Sequence, residues 1–348
     1  MSLTISPDIQ SAWSALRGAS LSQISGGLIN MTYLVEAQNG RFILQRLNPI
    51  FDAIVHHDID AITKRLEQQS LPTPRLIPTD AGSLFVETPD GVFRLQTAIE
   101  GITHHRLTSP ALAFEAGQHV ALFHRALAGF DYDYRFTRPF VHDTTKHLET
   151  LTTALRDHQT HSLNAQVMPV AERVLQTAQE CPSFEHLPNR HAHGDLKISN
   201  FIFSPEGQVQ ALIDLDTVST MKWPLEMGDA LRSWCNPHAE DHPTPFLDLT
   251  LLENAVKGYG SVDKHGCTQE EIDLLFAGLE TICLELSARF LADALQERYF
   301  GWDNTNYPSR GAHNLARGKA MHALWQDCAS KRQEATAMIS RHLKPCSG

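Results

Sequence analysis

The stretch that decides the reading is HAHGDLKISNFIF, residues 191–203. It sets an acid, Asp195, and an amide, Asn200, directly before the apolar run Phe201-Ile202-Phe203, which reads as a short buried strand. A Pro-Glu-Gly turn and a second apolar run then lead to Asp214-Leu215-Asp216. The pattern predicts a tight hairpin with an amide and acids at its open end. Asp216, two residues beyond Asp214, shares its face if the strand continues.

Length and composition bound what this hairpin can belong to. The chain has 348 residues, 42% of them apolar, enough for one large domain or two lobes with a shared cleft. The formal charge of -11 argues against a nucleic-acid backbone or an anionic membrane as partner, since both need a basic face. Six cysteines lie far apart with no CxxC pair, which suits reduced thiols. The N-terminus, MSLTISPDIQ, lacks the charged and apolar regions of a signal peptide, and no apolar run approaches the roughly 20 residues of a membrane helix. The expectation is a soluble, cytoplasmic protein. Histidine is abundant at 19, but no HExxH or Cys/His cluster with zinc spacing occurs, so no dedicated histidine metal site is expected.

Along the chain, residues 8–18 read as a short helix and 21–47 as an antiparallel meander, with Asn39-Gly40 as a hairpin signal. Residues 52–69 carry helical apolar spacing. A second hairpin turns at Asp90-Gly91. Beyond Gly101 the periodicity is helical: a helix opening at Ser109-Pro110, then 143–158, 166–180, 225–236, 245–259, 269–300 and 311–342. The hairpin after Asn200 is the only strand signal in this part. The expected fold class is α+β, with a small β-rich N-terminal lobe at 1–97, a hinge at 98–101 and a large, mainly helical lobe at 102–348.

An acid, an amide five residues on, and a second acid beyond a hairpin is the order found in phosphoryl-transfer sites of kinases. The chemistry explains it. Transfer of a γ-phosphoryl group depends on positioning and charge neutralisation. Asp195 would face the acceptor hydroxyl and take its proton. Asn200 and Asp214, with Asp216 directly or through water, would offer oxygen donors to magnesium, a hard octahedral cation.

With these residues in view, HGDLKISN and LIDLDT resemble the aminoglycoside phosphotransferase and choline kinase group of small-molecule kinases. NMTYLVEAQNGRFILQRLN, PLEMGDALRS and ARFLADALQERYF…HNLAR are similar to its N-acetylhexosamine 1-kinase branch. The similarity spans residues 22 to about 330 in order. It implies a two-lobed protein-kinase-like fold, ATP and Mg2+ as cofactors, Asp195 as catalytic base, and Asn200 and Asp214 as metal ligands. Gly26 and Gly27, with Asn30 and Thr32 beyond, would cover the phosphates. Backbone groups of Thr97 and Ile99 would take the adenine. His313, Asn314 and Arg317 would line the acceptor pocket. His193 would support the catalytic loop. Asp229 would either brace that loop by accepting its N–H groups or serve as an ordinary acid near a helix start.

One position departs from the kinase pattern. The strand lysine that holds the α and β phosphates is replaced by Gln45, or by Arg46 if the register slips by one. The expected activity is ATP-dependent phosphorylation of a small-molecule hydroxyl, plausibly the anomeric hydroxyl of an N-acetylhexosamine. Alternative acceptors are choline, homoserine, an aminoglycoside or another sugar. A nucleotide-binding module without turnover is the alternative of another class.

Overall fold

The computed structural model describes residues 6–24, 30–264 and 266–345. These residues divide into two compact units. The first takes the described parts of Met1–Thr103, Ala126–Arg138 and Asn200–Ser219; the second takes those of His104–Arg125, Pro139–Ser199 and Thr220–Gly348.

The first unit grows from alternation. After α1 (Pro7–Ala12) come β1 (Ser20–Gln23), β2 (Met31–Ala37) and β3 (Gly40–Arg46), an antiparallel meander as expected. Gly40 opens β3 at φ 141°, a backbone that glycine adopts without penalty. Helix α2 (Val55–Gln68) buries Val55, Ile59, Ile62 and Leu66, one face at helical spacing. Then follow β4 (Leu76–Ile77), β5 (Val86–Thr88) and β6 (Gly91–Thr97). The sheet order is β1-β2-β3-β6-β4, with β5 also on β6. Ile9, Trp13 and Leu16 seal its inner face against Tyr33, Val35, Leu44, Phe93 and Leu95. The register sets Gln45 directly opposite Arg94.

A short strand, β7 (Ile102–Thr103), follows Gly101. A side chain at Gly101 would place its Cβ 2.5 Å from the Phe203 carbonyl oxygen, so this approach needs glycine. The chain then runs through α3 (Pro110–Leu127), α4 (Thr144–Asp157), α5 (Asn164–Ala178) and β8 (Asn189–Ala192). The hairpin expected after Asn200 is β9 (Phe201–Phe203) and β10 (Val209–Leu212), and β7 adds to its edge within the first unit. Next is β11 (Ser219–Lys222), which pairs with β8; these two short strands carry no apolar alternation and escape the sequence reading.

The second unit is organised on α8 (Gln269–Gln296), reached through α6 (Trp223–Trp234) and α7 (Leu249–Gly260). Thr268 and Glu271 form a reciprocal capping box at its start. It ends at Gln296, four residues before the expected boundary, because the next residue, Glu297, turns left-handed (φ 49°). Nearly every α8 side chain from Leu275 to Leu295 is buried, against α4, α5, α6 and α9 (Arg310–His342). Where α6 crosses α8 the backbones touch: a Cβ on Gly228 would sit 2.6 Å from the Gly278 carbonyl carbon. No helix among the described residues is long and apolar enough to cross a membrane.

Candidate active site

In the second unit, β8 delivers the chain to the loop His193–Lys197. Gly194 takes φ 79°, which re-aims the chain between His193 and Asp195. The loop is fixed from beneath by Glu226, in the first turn of α6 and 3% exposed. One carboxylate oxygen accepts the backbone N–H of His193 at 2.7 Å and that of Gly194 at 3.3 Å. The other meets His124 Nε2 at 2.9 Å. His124 Nδ1 lies 2.8 Å from the Tyr259 hydroxyl, which also accepts from Trp223 Nε1 at 2.8 Å. Burial pushes the Glu226 carboxyl up, but His124 and the His193 N–H hold it below the usual carboxylate range. The Asp195 N–H donates to His193 Nδ1 at 3.3 Å, so His193 turns back onto the loop. Trp234 Nε1 donates to the Leu196 carbonyl at 2.6 Å.

The bracing acid is therefore Glu226 and not Asp229. The two lie three residues apart on one helix, and helix geometry lets the earlier one reach the loop N–H groups. Asp229 instead pairs with Arg232 Nε at 2.9 Å. Burial raises the Asp229 carboxyl, while Arg232 and His142 bring it net below its ordinary value. Sequence reasoning also passed over Lys197. Its Nζ lies 2.6 Å from Asp195 Oδ2, with both side chains partly exposed. The signal was present in HGDLKISN: a cation two residues after the acid, on the same loop.

In the first unit, the β9–β10 ladder continues one pair past the strands, through Ile213 N to the Asn200 carbonyl at 2.9 Å. That bond sets Asn200 beside the Asp214 segment. Asn200 is buried and Asp214 half-buried, and Asp214 takes a left-handed backbone, φ 65° and ψ 57°. Among the described residues no group of three or more His, Cys, Asp or Glu side chains could hold a metal. An amide and one carboxylate, all-oxygen and few, fit a hard cation that takes its other ligands from water and phosphate.

Asp216 does not fit that set. It is 1% exposed, and both its oxygens are engaged: Arg94 contacts Oδ1 and, at 3.0 Å, Oδ2, and Asn30 Nδ2 donates to Oδ2 at 2.6 Å. The chain turns into a 3-10 helix at Leu215–Thr217, so strand alternation stops and Asp214 and Asp216 lose their common face. The side chains expected at the nucleotide also serve each other. Gln45 Oε1 accepts from Arg94 Nε at 2.9 Å and Nη2 at 2.7 Å and from Gln96 Nε2 at 2.6 Å; Gln45 Nε2 donates to Thr32 at 3.1 Å. Asn30 Oδ1 accepts the Asn48 N–H at 2.8 Å. Arg46 is half-buried, with Nη1 3.8 Å from Met31 Sδ. Thr97 is tied to the backbone of Arg75 through its N–H and its Oγ1, both at 2.9 Å, and Ile99 is half-buried. Gly26 and Gly27 lie outside the described residues.

The expected acceptor residues sit at the start of α9. His313 Nδ1 accepts the Asp303 N–H at 3.1 Å, Nε2 meets Asp241 at 3.2 Å, and the ring stacks on Tyr307. Asn314 donates to Asp293 at 2.8 Å; Asp293 in turn accepts the N–H groups of Arg298, Tyr299 and Phe300. His313 and Asn314 are thus buried supports of the loop after α8. Arg317 is half-buried, donates to the Gly301 carbonyl at 2.8 Å and lies over the Phe290 ring.

Comparison with known proteins identifies the family and the fold. The phosphotransferase enzyme family (APH) matches residues 20–259. A homoserine kinase of Gluconobacter oxydans (strain 621H) is 24% identical over 285 residues, 81% of this chain and 82% of that protein. Among solved structures, amicoumacin kinase hAmiN in complex with AMP-PNP, Ca2+ and Ami superposes with a TM-score of 0.62 at 12% identity, covering 91% of both chains. A microcompartment-associated aminopropanol kinase gives a TM-score of 0.62 at 16% identity, covering 95% of this chain and 97% of that one. These structures share the fold expected from the sequence.

Proposed function

The chain belongs to the phosphotransferase enzyme family and is a phosphotransferase with a hydroxyl acceptor; on that premise we propose that it transfers the γ-phosphoryl group of ATP to the anomeric hydroxyl of an N-acetylhexosamine. The observation that carries the kinase chemistry is the loop around Asp195, tied through its backbone to buried Glu226 and bearing Lys197 at 2.6 Å. Asp195 takes the proton of the acceptor hydroxyl as the oxygen attacks phosphorus. Lys197 stands beside that carboxylate, where it offsets negative charge on the transferring group. Asn200 and Asp214 would hold Mg2+, which when bound would supply charge neutralisation to the phosphates. Arg317 is the side chain we assign to the acceptor or the transferring phosphate. The choice of an N-acetylated sugar rests on the strings PLEMGDALRS and HNLAR in the sequence.

A hydroxyl-bearing amino acid such as homoserine is the second reading, favoured by the similarity to a homoserine kinase. The test is a phosphate-transfer screen with ATP over N-acetylglucosamine, N-acetylgalactosamine, free hexoses, choline and homoserine, with product analysis to locate the modified oxygen. A sugar 1-phosphate from an N-acetylhexosamine supports the first reading. Homoserine phosphate with no sugar product replaces it by the second.

A further inference from the structure

We propose that the buried Arg94–Asp216 ion pair is a positioning device that sets the segment at Asp214, the residue read above as a metal ligand. The inference rests on the functional reading above, in that Asp214 is taken to hold the cation.

Arg94 on β6 and Asp216 are each 1% exposed. The guanidinium contacts both carboxylate oxygens, a planar fork against a planar acceptor. Each partner is held from behind. Gln45 Oε1 accepts from Nε and Nη2 of Arg94, and Asn30 Nδ2 donates to Asp216 Oδ2. Gln45 and Asn30 are in turn fixed by Thr32 and by the Asn48 N–H. Two residues before this clamp stands Asp214 in a left-handed backbone. Aspartate tolerates that backbone better than most non-glycine residues, yet still at a cost that its surroundings must offset. Asp216, pinned from two sides and joined to Asp214 through buried Leu215, supplies that constraint.

The same geometry accounts for the absent lysine. Gln45 is the direct cross-strand partner of Arg94. A lysine at 45 would set two cations directly opposite each other across the strand pair, which is destabilising. A neutral amide presents a carbonyl oxygen to the guanidinium instead. Position 45 is thus matched to Arg94.

The test reads metal binding as well as turnover. Mn2+ is titrated by electron paramagnetic resonance in the presence of AMP-PNP, for wild type, Arg94→Lys and the double variant Arg94→Met/Asp216→Leu. The double variant removes both charges, an exchange that buried pairs often tolerate with little loss of stability. Arg94→Lys keeps the charge and loses the fork, and it serves should the double variant fail to fold. A positioning role predicts Mn2+ affinity lowered about tenfold or more in the double variant and several-fold in Arg94→Lys, at native circular dichroism. Wild-type affinity in folded Arg94→Lys overturns the proposal. A rise in affinity overturns it too, because freeing Asp216 would then have added a ligand. If the wild type itself holds no Mn2+ with AMP-PNP, the functional reading falls and this proposal with it. If the wild type holds Mn2+ and the variants match it, only this proposal falls.

Discussion

Replacing Glu226 with alanine separates a braced catalytic loop from an incidental one. The carboxylate accepts two backbone N–H groups of the loop and meets His124, all in a buried setting. Alanine leaves those donors without a partner and without water. Breaking a buried, charged contact from one side costs about 3–5 kcal/mol. At ~1.4 kcal/mol per factor of ten, that lowers the folded-to-unfolded ratio by roughly two to three and a half orders of magnitude. Glu226→Gln keeps an acceptor for the His193 N–H and loses the charge, so its cost is smaller, about 1–2 kcal/mol. The loop effect appears in rate: a displacement of order 1 Å in a reacting group can cost about 10²-fold. Urea unfolding with unchanged m-values measures the stability, and steady-state kinetics measures the rate. The expected result is kcat down roughly 10²-fold in the alanine variant, an intermediate value for glutamine, and KM for ATP nearly unchanged, because the pair proposed to hold the metal, Asn200 and Asp214, is set by the β9–β10 ladder and not by Glu226. An alanine variant that loses less than about 1 kcal/mol and keeps kcat within twofold would refute the bracing role.

Two further outcomes follow from other sites. His119 on α3 and His56 on α2 are buried with Nε2 lacking a partner; burial lowers both to about 4, with Arg94 adding to the effect at His56. Each stays neutral in the folded chain while the unfolded chain takes up a proton near the free value of 6.5, so stability falls as pH drops from about 6.5 to about 4. Each contributes about 3 kcal/mol across that window; His119→Leu should remove its own share and make the profile shallower, and an unchanged slope in denaturant midpoint against pH would contradict this. Lys197→Met should lower kcat by roughly 10²-fold while costing under about 1 kcal/mol of stability, since the pair with Asp195 is partly exposed. Rates within threefold of wild type would remove Lys197 from the chemistry.

Where a segment's own pattern decides its structure, the sequence is readable. The long helices follow from apolar spacing, and the two N-terminal hairpins follow from Asn39-Gly40 and Asp90-Gly91. Short strands such as Asn189–Ala192 and Ser219–Lys222 are not readable, because pairing with a distant partner, rather than alternation, makes them strands. The site divides in the same way. The order Asp195, Asn200, Asp214 is visible because it is local. Arg94 is not, since in the stretch FRLQT it reads as the outward polar residue of a strand; Phe93, Arg94 and Leu95 are all buried, and only the fold brings Asp216 to the guanidinium. Asp216 was expected at the metal because strand alternation was extended one turn too far. Glu226 and Asp229 look equivalent on one helix until the loop they could serve is placed.

The most direct measurement is single-turnover phosphate transfer by Asp195→Asn beside wild type, on whichever acceptor the screen identifies, with AMP-PNP binding measured in parallel. Transfer slowed by roughly 10²–10⁴ with nucleotide affinity nearly unchanged is the expected result. Transfer within a few-fold of wild type would contradict it, because Asp195 would then not be the base.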